Sequence, residues 1–308
     1  MATDKKFEVV IIGGGGAGLT AALYTSRAKL ATALFEKLTP GGQIALTDGV
    51  ENYPGFPEGI TGPEISRKME EQAKKYGAQI FYEEIRSAQK KGGLFEITAG
   101  SSVCQAGAVI LAAGASFRTL GVPGEKELTG RGVSYCATCD GAFFKGKEIV
   151  VVGGGDSALQ EGIFLTRFAG KVTVIHRRDK LRASPILQER AQTNPKIHFL
   201  WDTVVEKISG EKKVEGVLLK NVKINQTAPF KTDGVFIFIG HDPNTAFLRG
   251  FVNLDPQGYV QTGPSLSTSV PGVFAAGEIR SGAVKQLVAA CGEGCEAALA
   301  AQHYLENA

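Results

Sequence analysis

Nowhere in the chain does an apolar run approach the roughly 18 residues that a bilayer-spanning helix needs, so no membrane helix is expected. A surplus of either charge is also missing. The 34 Lys and Arg face 31 Asp and Glu, and a net charge of +3 is too small to favour nucleic acid or a membrane surface. Export features are lacking near the start, where Lys5-Lys6 is followed at once by Phe7–Ile12, too short for a secretory core and running straight into glycines. Cysteine is scarce, with five in 308 residues, which does not suit a disulfide scaffold. A reducing, cytoplasmic compartment is therefore expected, and a disulfide there would be working chemistry and not a staple. No low-complexity linker interrupts the sequence.

What is abundant is glycine, at 40 residues nearly twice the usual share of about 7%. The glycines are aperiodic, which excludes collagen, and they cluster beside apolar runs, as phosphate-binding turns do. With 43% hydrophobic and 21% charged residues the composition is that of a soluble globular protein, and the length allows two domains, each with its own core.

The clusters belong to a repeated unit. Phe7–Ile12 reads as a strand, Gly13–Gly18 as a turn, Leu19–Leu30 as a helix and Ala31–Phe35 as a second strand ending at Glu36. The same order returns in Glu148–Val152, Gly153–Ala158, Leu159–Phe168 and Lys171–Ile175. Two copies imply two nucleotide-binding domains of the α/β, Rossmann-like, three-layer kind, the second inserted into the first. Residues 1–117 and 246–308 are expected to form one domain and 118–245 the other. Around the copies, the patterns predict a helix over Pro63–Tyr76 and a buried run over Ala108–Ala113 ending at Gly114. Hairpin strands are expected over Val204–Leu219, strands at Gly234–Ile239 and Val273–Ala276, and an Ala-rich helix over Lys285–Leu305.

The turn Gly13-Gly14-Gly15-Gly16-Ala17-Gly18 has the G-x-G-x-x-G spacing between a strand and a helix. Its first glycine permits the tight turn, the second lets backbone amides approach a pyrophosphate, and the third lets helix and strand pack closely. The helix N-terminus then faces the anion. Glu36 ends the next strand, where a carboxylate accepts from a ribose 2′-hydroxyl and repels a 2′-phosphate. FAD or NAD fits this site; NADP does not.

The second turn, Gly153-Gly154-Gly155-Asp156-Ser157-Ala158, has alanine for the third glycine. Its second strand ends in His176-Arg177-Arg178, with Arg182 one turn on, where arginines bind a phosphate bidentately and so select NADP. A solvated basic loop is the bland reading of the same residues. Just ahead of this unit lies Cys136-Ala137-Thr138-Cys139-Asp140. A two-residue spacer lets the sulfurs pair while keeping the bond reducible, and Asp140 can supply or take a proton. A zinc site and two inert thiols compete with this reading, although no second Cys/His pair at finger-like spacing completes a zinc site. Cys291 and Cys295, four apart on the Ala-rich helix, read as packing.

Together these stretches resemble the bacterial-type, low-molecular-weight thioredoxin reductases, class II pyridine nucleotide-disulfide oxidoreductases, over essentially the whole chain. The resemblance rests on Gly13–Gly18, Gly41-Gly42-Gln43, Glu51-Asn52-Tyr53-Pro54-Gly55, Cys136–Asp140, Gly153–Ala158, His176–Ala183 and Gly272–Gly277. It implies FAD in the first turn, with Gly42, Gln43 and Asn52 near the isoalloxazine and Gly114 at the adjoining strand end. It places Gly277-Glu278 on the ribityl chain, with Lys285 and Gln286 at the start of the last helix. NADPH would bind through Gly153, Gly155, Asp156, Ser157, His176, Arg177, Arg178 and Arg182. Cys139 would meet the flavin and Cys136 would attack the disulfide of thioredoxin. Homodimerisation, and rotation of one domain against the other about Ala115–Leu120 and Gly240–Thr245, are also implied.

Four positions depart from the family pattern: Glu278 for Asp, Lys285 for Arg, Gly16 for Pro, and Ala112-Ala113-Gly114 for Ala-Thr-Gly. The alternatives are a related flavin dithiol reductase serving a glutaredoxin-like or peroxidase system, one fed by a donor other than NADPH, and a nucleotide-binding sensor. Arg177, Arg178 and Arg182 speak against a changed donor. The Cys136–Cys139 pair speaks against a ferredoxin–NADP reductase, and a sensor need not turn over NADPH.

Overall fold

Val9, Val10, Ile11 and Ile12 are fully or almost fully buried, so this β-branched run has apolar neighbours on both faces, as an interior strand of a parallel sheet requires. In the computed structural model, which describes residues 5–46, 49–50 and 52–307, that strand spans Lys5–Ile12. It lies between the parallel strands Thr32–Phe35 and Ser102–Leu111, and Gln79–Phe81 extends the sheet beyond Thr32–Phe35. The long strand Ser102–Leu111 changes partners along its other edge. Its first half pairs antiparallel with Leu94–Ala99, and its last residues pair parallel with Val273–Ala275.

Side chains of alternate residues reach opposite faces of this sheet. Val9, Ile11, Leu34 and Ile110 pack against the helices α1 (Gly16–Arg27), α2 (Gly62–Lys75) and α6 (Leu287–Glu306). Val10, Ile12, Phe35 and Leu111 pack on the other side with Phe95 and Ile97 of the antiparallel strands and with Leu248 and Val252.

The chain divides into two compact units, Met1–Ser116 with Asp242–Ala308, and Phe117–His241. The second unit repeats the plan. Its parallel sheet has the order Ile197–Leu200, Lys171–Ile175, Glu148–Val152, Gly234–Ile237, Val133–Ser134. The helices α3 (Ala137–Asp140), α4 (Asp156–Leu165) and α5 (Pro185–Gln192) belong to this unit, and α4 and α5 cover one face. Three antiparallel strands, Thr203–Ser209, Gly216–Asn221 and Gln226–Lys231, cover the other. The expected three-layer α/β class, present twice, is borne out. No helix among the described residues is long and apolar enough to cross a membrane.

Both glycine turns sit at the carboxyl ends of parallel strands, where α/β sheets bind ligands. Each helix begins inside its turn, earlier than its first apolar residue: α1 at Gly16 with Gly15 as cap, and α4 at Asp156 with Gly155 as cap.

Candidate functional site

Neither cap residue supplies a side-chain hydrogen bond, so the first amides of α1 and α4 are left for an external acceptor. The three positions of the first motif differ as the chemistry requires. Gly13 has φ +107°, and a Cβ there would lie 2.4 Å from the Ala112 carbonyl oxygen; one at Gly18 would lie 1.8 Å from the Gly13 oxygen. A Cβ at Gly15 would meet nothing within 4 Å. Two glycines thus close the turn and the middle one faces open space, a cradle that fits a pyrophosphate. The Glu36 carboxylate is braced by the Gly14 amide at 2.8 Å and the Leu38 amide at 3.0 Å, with lone pairs left for a further donor.

Residues far apart in sequence join this turn within the first unit. The Gly41 amide donates to the Gly14 oxygen at 2.6 Å, which seats Gly42 against Gly15. Gln43 donates through Nε2 to the Ala115 oxygen and to Glu278 Oε2, the latter at 3.4 Å. The extra methylene of Glu278 is therefore accommodated by a reach toward Gln43. Burial pushes the Glu278 carboxyl up, opposed by the charge of Lys285 and the Gln43 hydrogen bond. Asn52 donates through Nδ2 to Gln286 Oε1 at 3.2 Å, and Gln286 caps α6. The Gly114 oxygen accepts from the Asn244 amide at 3.0 Å, and a Cβ on Gly114 would meet nothing within 4 Å. Glu51, the first residue of the Glu51–Gly55 stretch, lies outside the described residues. Gly16 has a local reason to lack a side chain, since a Cβ would come within 2.4 Å of Leu287 Cδ1.

One pair in this region has no signature in the sequence. Glu293 on α6 accepts the Gly277 amide at 2.7 Å and the Arg280 Nε–H at 2.8 Å, with a second guanidinium contact from Nη2. The Gly277-Glu278 turn is held in place by this bidentate pair. Its only sequence trace is an acid flanked by Gly292 and Gly294 in an Ala-rich helix. Gly294 itself lets the helices touch, because a Cβ there would be 2.2 Å from the Ala17 oxygen. Cys291 is buried on the same helix, its thiol pushed up by burial, and packs against Gly16.

In the second unit Gly153 has φ +154°, and a Cβ on it would clash with the Phe238 oxygen at 2.5 Å, whereas Gly155 again faces open space. Asp156 accepts the Ser184 amide at 2.6 Å, and Ser157 is exposed at the start of α4. The Arg182 amide donates to the Gly154 oxygen at 2.7 Å, which folds the arginine loop back onto the glycine turn. Arg177, Arg178 and Arg182 are exposed, and none forms an ion pair among the described residues. Cations left unpaired beside an open glycine turn fit a phosphorylated ribose. His176 differs from them: it is 5% exposed. Gly154 packs on its ring, and its Nε2 lies 3.0 Å from the Lys180 oxygen. Burial, reinforced by Arg182 and Arg177, pushes its pKa down. It supports the arginine loop from beneath.

Cys136 and Cys139 are joined as a disulfide. Cys136 caps the short α3, and its sulfur accepts the Cys139 amide at 3.2 Å, a contact that stabilises a thiolate once the bond is reduced. Ser134 ties Asp140 to this turn. Its hydroxyl lies 2.5 Å from Asp140 Oδ2 and accepts the Cys136 amide at 3.1 Å.

Two glycine turns at the ends of parallel strands and a Cys-x-x-Cys disulfide are the parts of a nucleotide-linked disulfide reductase. The chain belongs to the pyridine nucleotide-disulphide oxidoreductase family, whose model matches residues 7–294. It is 53% identical to thioredoxin reductase of Bacillus subtilis, over 100% of this chain and 97% of that protein. It is 50% identical to thioredoxin reductase of Listeria monocytogenes, over 100% of this chain and 97% of that one. The crystal structure of thioredoxin reductase from Streptococcus pyogenes superposes with a TM-score of 0.95 at 44% identity, covering 99% of this chain and all of that one. The resemblance read from the motifs is borne out.

Proposed function

We propose that the chain is an NADPH-dependent thioredoxin-disulfide reductase that holds FAD in its first unit and NADPH in its second. The observation that carries this reading is the Cys136–Cys139 disulfide, in a chain with two glycine turns, one followed by a strand ending at Glu36 and the other by a strand ending at His176-Arg177-Arg178. The flavin supplies the conversion of a hydride from the nicotinamide into the electron pair that reduces the disulfide.

The chain's own residues do the rest. Gly13, Gly15, Gly16, Ala17 and Gly18 form the turn that would hold the pyrophosphate of FAD, and Glu36 would accept from its ribose. Gly42, Gln43, Asn52, Gly114, Gly277, Glu278, Lys285 and Gln286 shape the site around the ring and ribityl chain. Gly153, Gly155, Asp156 and Ser157 receive the nicotinamide dinucleotide, and Arg177, Arg178 and Arg182 take its 2′-phosphate, with His176 supporting them. Once the Cys136–Cys139 bond is reduced to two thiols, with Asp140 holding a proton beside them, the Cys136 thiolate would attack the disulfide of thioredoxin to form a mixed disulfide. Cys139 would then displace thioredoxin from it, re-forming the Cys136–Cys139 bond and releasing the thioredoxin dithiol. The expected setting is a cytoplasmic homodimer.

Thioredoxin disulfide reduction, followed by thiol release, tests this reading. Turnover with NADPH, and a much higher KM with NADH, is the expected result; turnover with thioredoxin but no preference for NADPH would discard the arginine assignment.

Rotation of one unit against the other between half-reactions belongs to the same proposal, with hinges at Ala115–Leu120 and Gly240–Thr245. Within the second unit the Arg118 amide donates to the Gly240 oxygen at 3.0 Å, so the chain enters and leaves at adjacent points, which suits a hinge. An engineered disulfide locking the two units is expected to abolish turnover. Full activity in the locked form would sink the rotation.

A further inference from the structure

The arginine loop carries two acids that phosphate binding does not need. Asp179 follows Arg178 directly, and the Asp202 amide donates to the Arg178 oxygen at 3.3 Å. Both acids therefore border the backbone of Arg178, one by sequence and one by that hydrogen bond, and an arginine–carboxylate pair is what an incoming phosphate would have to displace.

Neither acid is left to the arginines. Lys223 Nζ lies 3.1 Å from Asp179 Oδ2 and 3.0 Å from Asp202 Oδ2. The lysine comes from another layer of the unit, the turn between the strands Gly216–Asn221 and Gln226–Lys231. That turn is fixed: Asn221 Oδ1 accepts the Lys223 amide at 3.0 Å, and the Val222 amide donates to the Asp202 oxygen at 2.6 Å. Asp202 is also a fixed partner, with its side chain 15% exposed and its backbone at φ +52°. The two carboxylates push the Lys223 ammonium up, and the lysine holds the Asp179 carboxyl down. One lysine thus satisfies two acids, and Arg177, Arg178 and Arg182 form no ion pair among the described residues.

We infer that Lys223 is a specificity-determining positioning residue: by holding Asp179 and Asp202 it keeps the Arg177 and Arg178 guanidinium groups available to a ribose 2′-phosphate. The inference rests on the NADPH reading above. Without the lysine, the carboxylates would pair with the arginines and repel a 2′-phosphate, yet leave an unphosphorylated ribose unaffected. The consequence is therefore selective for NADPH over NADH.

The test uses the holoenzyme, calorimetric binding of 2′,5′-ADP, and steady-state kinetics with both nucleotides. Lys223→Gln is expected to weaken 2′,5′-ADP binding and raise KM for NADPH, each about fivefold, with kcat and KM for NADH unmoved. Lys223→Arg should retain tight binding. Adding Asp179→Asn and Asp202→Asn to Lys223→Gln should restore it, because no carboxylate is then left to compete. Unchanged 2′,5′-ADP binding in Lys223→Gln overturns the inference, as does a loss shared equally by NADH or a failure of the asparagine pair to rescue. If the unsubstituted protein binds 2′,5′-ADP no better than ADP, the NADPH reading itself fails and takes this inference with it, an outcome visible before any variant is made.

Discussion

Replacing Cys139 with serine is expected to abolish thioredoxin reduction by NADPH while leaving the flavin spectrum of the oxidised protein in place. The cysteine lies in α3, whose cap is the partner sulfur of Cys136, and no other pair of cysteines can substitute. Cys104 and Cys291 are buried thiols pushed up in pKa by their surroundings, Cys104 to about 11. Such thiols are almost entirely protonated near neutral pH and are poor nucleophiles. With Cys139 gone, electrons entering from NADPH have no disulfide to reach, so the loss should exceed about a thousandfold, as for other removals of an obligatory catalytic group. Cys136→Ser should be equally inactive toward thioredoxin. Residual turnover above about a tenth of normal in either variant would mean that the partner is reduced by another route.

The second large effect concerns stability. Glu125 is 4% exposed. No cation among the described residues pairs with it; its carboxylate accepts the Leu120 amide at 2.9 Å, the Gly121 amide at 2.8 Å, the Val122 amide at 3.4 Å and the Tyr135 hydroxyl at 2.7 Å. The Tyr135 ring in turn stacks on Phe117, with centroids 4.8 Å apart and planes 16° apart, and Phe117 lies 4.9 Å from the His241 ring. Burial and Glu125 push the Tyr135 hydroxyl pKa well up, so it remains a donor at any working pH. Glu125→Ala would strand three amides and a hydroxyl in the interior, each costing about 1–3 kcal/mol, with some recovered by entering water. A net loss of about 4 kcal/mol is expected, a large share of the roughly 5–15 kcal/mol that keeps a domain folded. Glu125→Gln keeps the shape but turns an N–H₂ toward amide donors, and should lose about half as much. Urea unfolding of the two variants checks this; a loss below about 1 kcal/mol in Glu125→Ala would mean that water replaces the carboxylate.

The parts legible in sequence were the local ones. A glycine whose Cβ would strike backbone, as at Gly13, Gly18 and Gly153, leaves its mark at fixed spacing in the chain. Parallel strands buried on both faces show as unbroken β-branched runs, so Glu148–Val152 and Lys171–Ile175 fall where the pattern puts them. Helix starts were less legible. The first apolar periodic residues are Leu19 and Leu159, but α1 and α4 begin at Gly16 and Asp156, because the first turn of each helix is built from small and polar residues that carry no apolar period. The strand Gln226–Lys231 is almost wholly exposed and carries no alternation, and α5 is short and mostly polar; neither has a periodic signal. The contacts that brace the sites were not legible at all. Glu293 with Gly277 and Arg280, Glu125 with Tyr135, and Lys223 with Asp179 and Asp202 each join residues whose proximity the fold creates. His176 read as a phosphate ligand beside its arginines; its ring is buried against Gly154, with Nε2 3.0 Å from the Lys180 oxygen.

Electrons from NADPH are expected to reach the Cys136–Cys139 disulfide, and anaerobic titration of the yellow protein with NADPH, with free thiols counted at each point, follows them there. Uptake of about two equivalents of NADPH per chain is expected, one by the flavin and one by the disulfide, with two new thiols per chain. Uptake of about one equivalent with no new thiols would show that the disulfide lies outside the electron path.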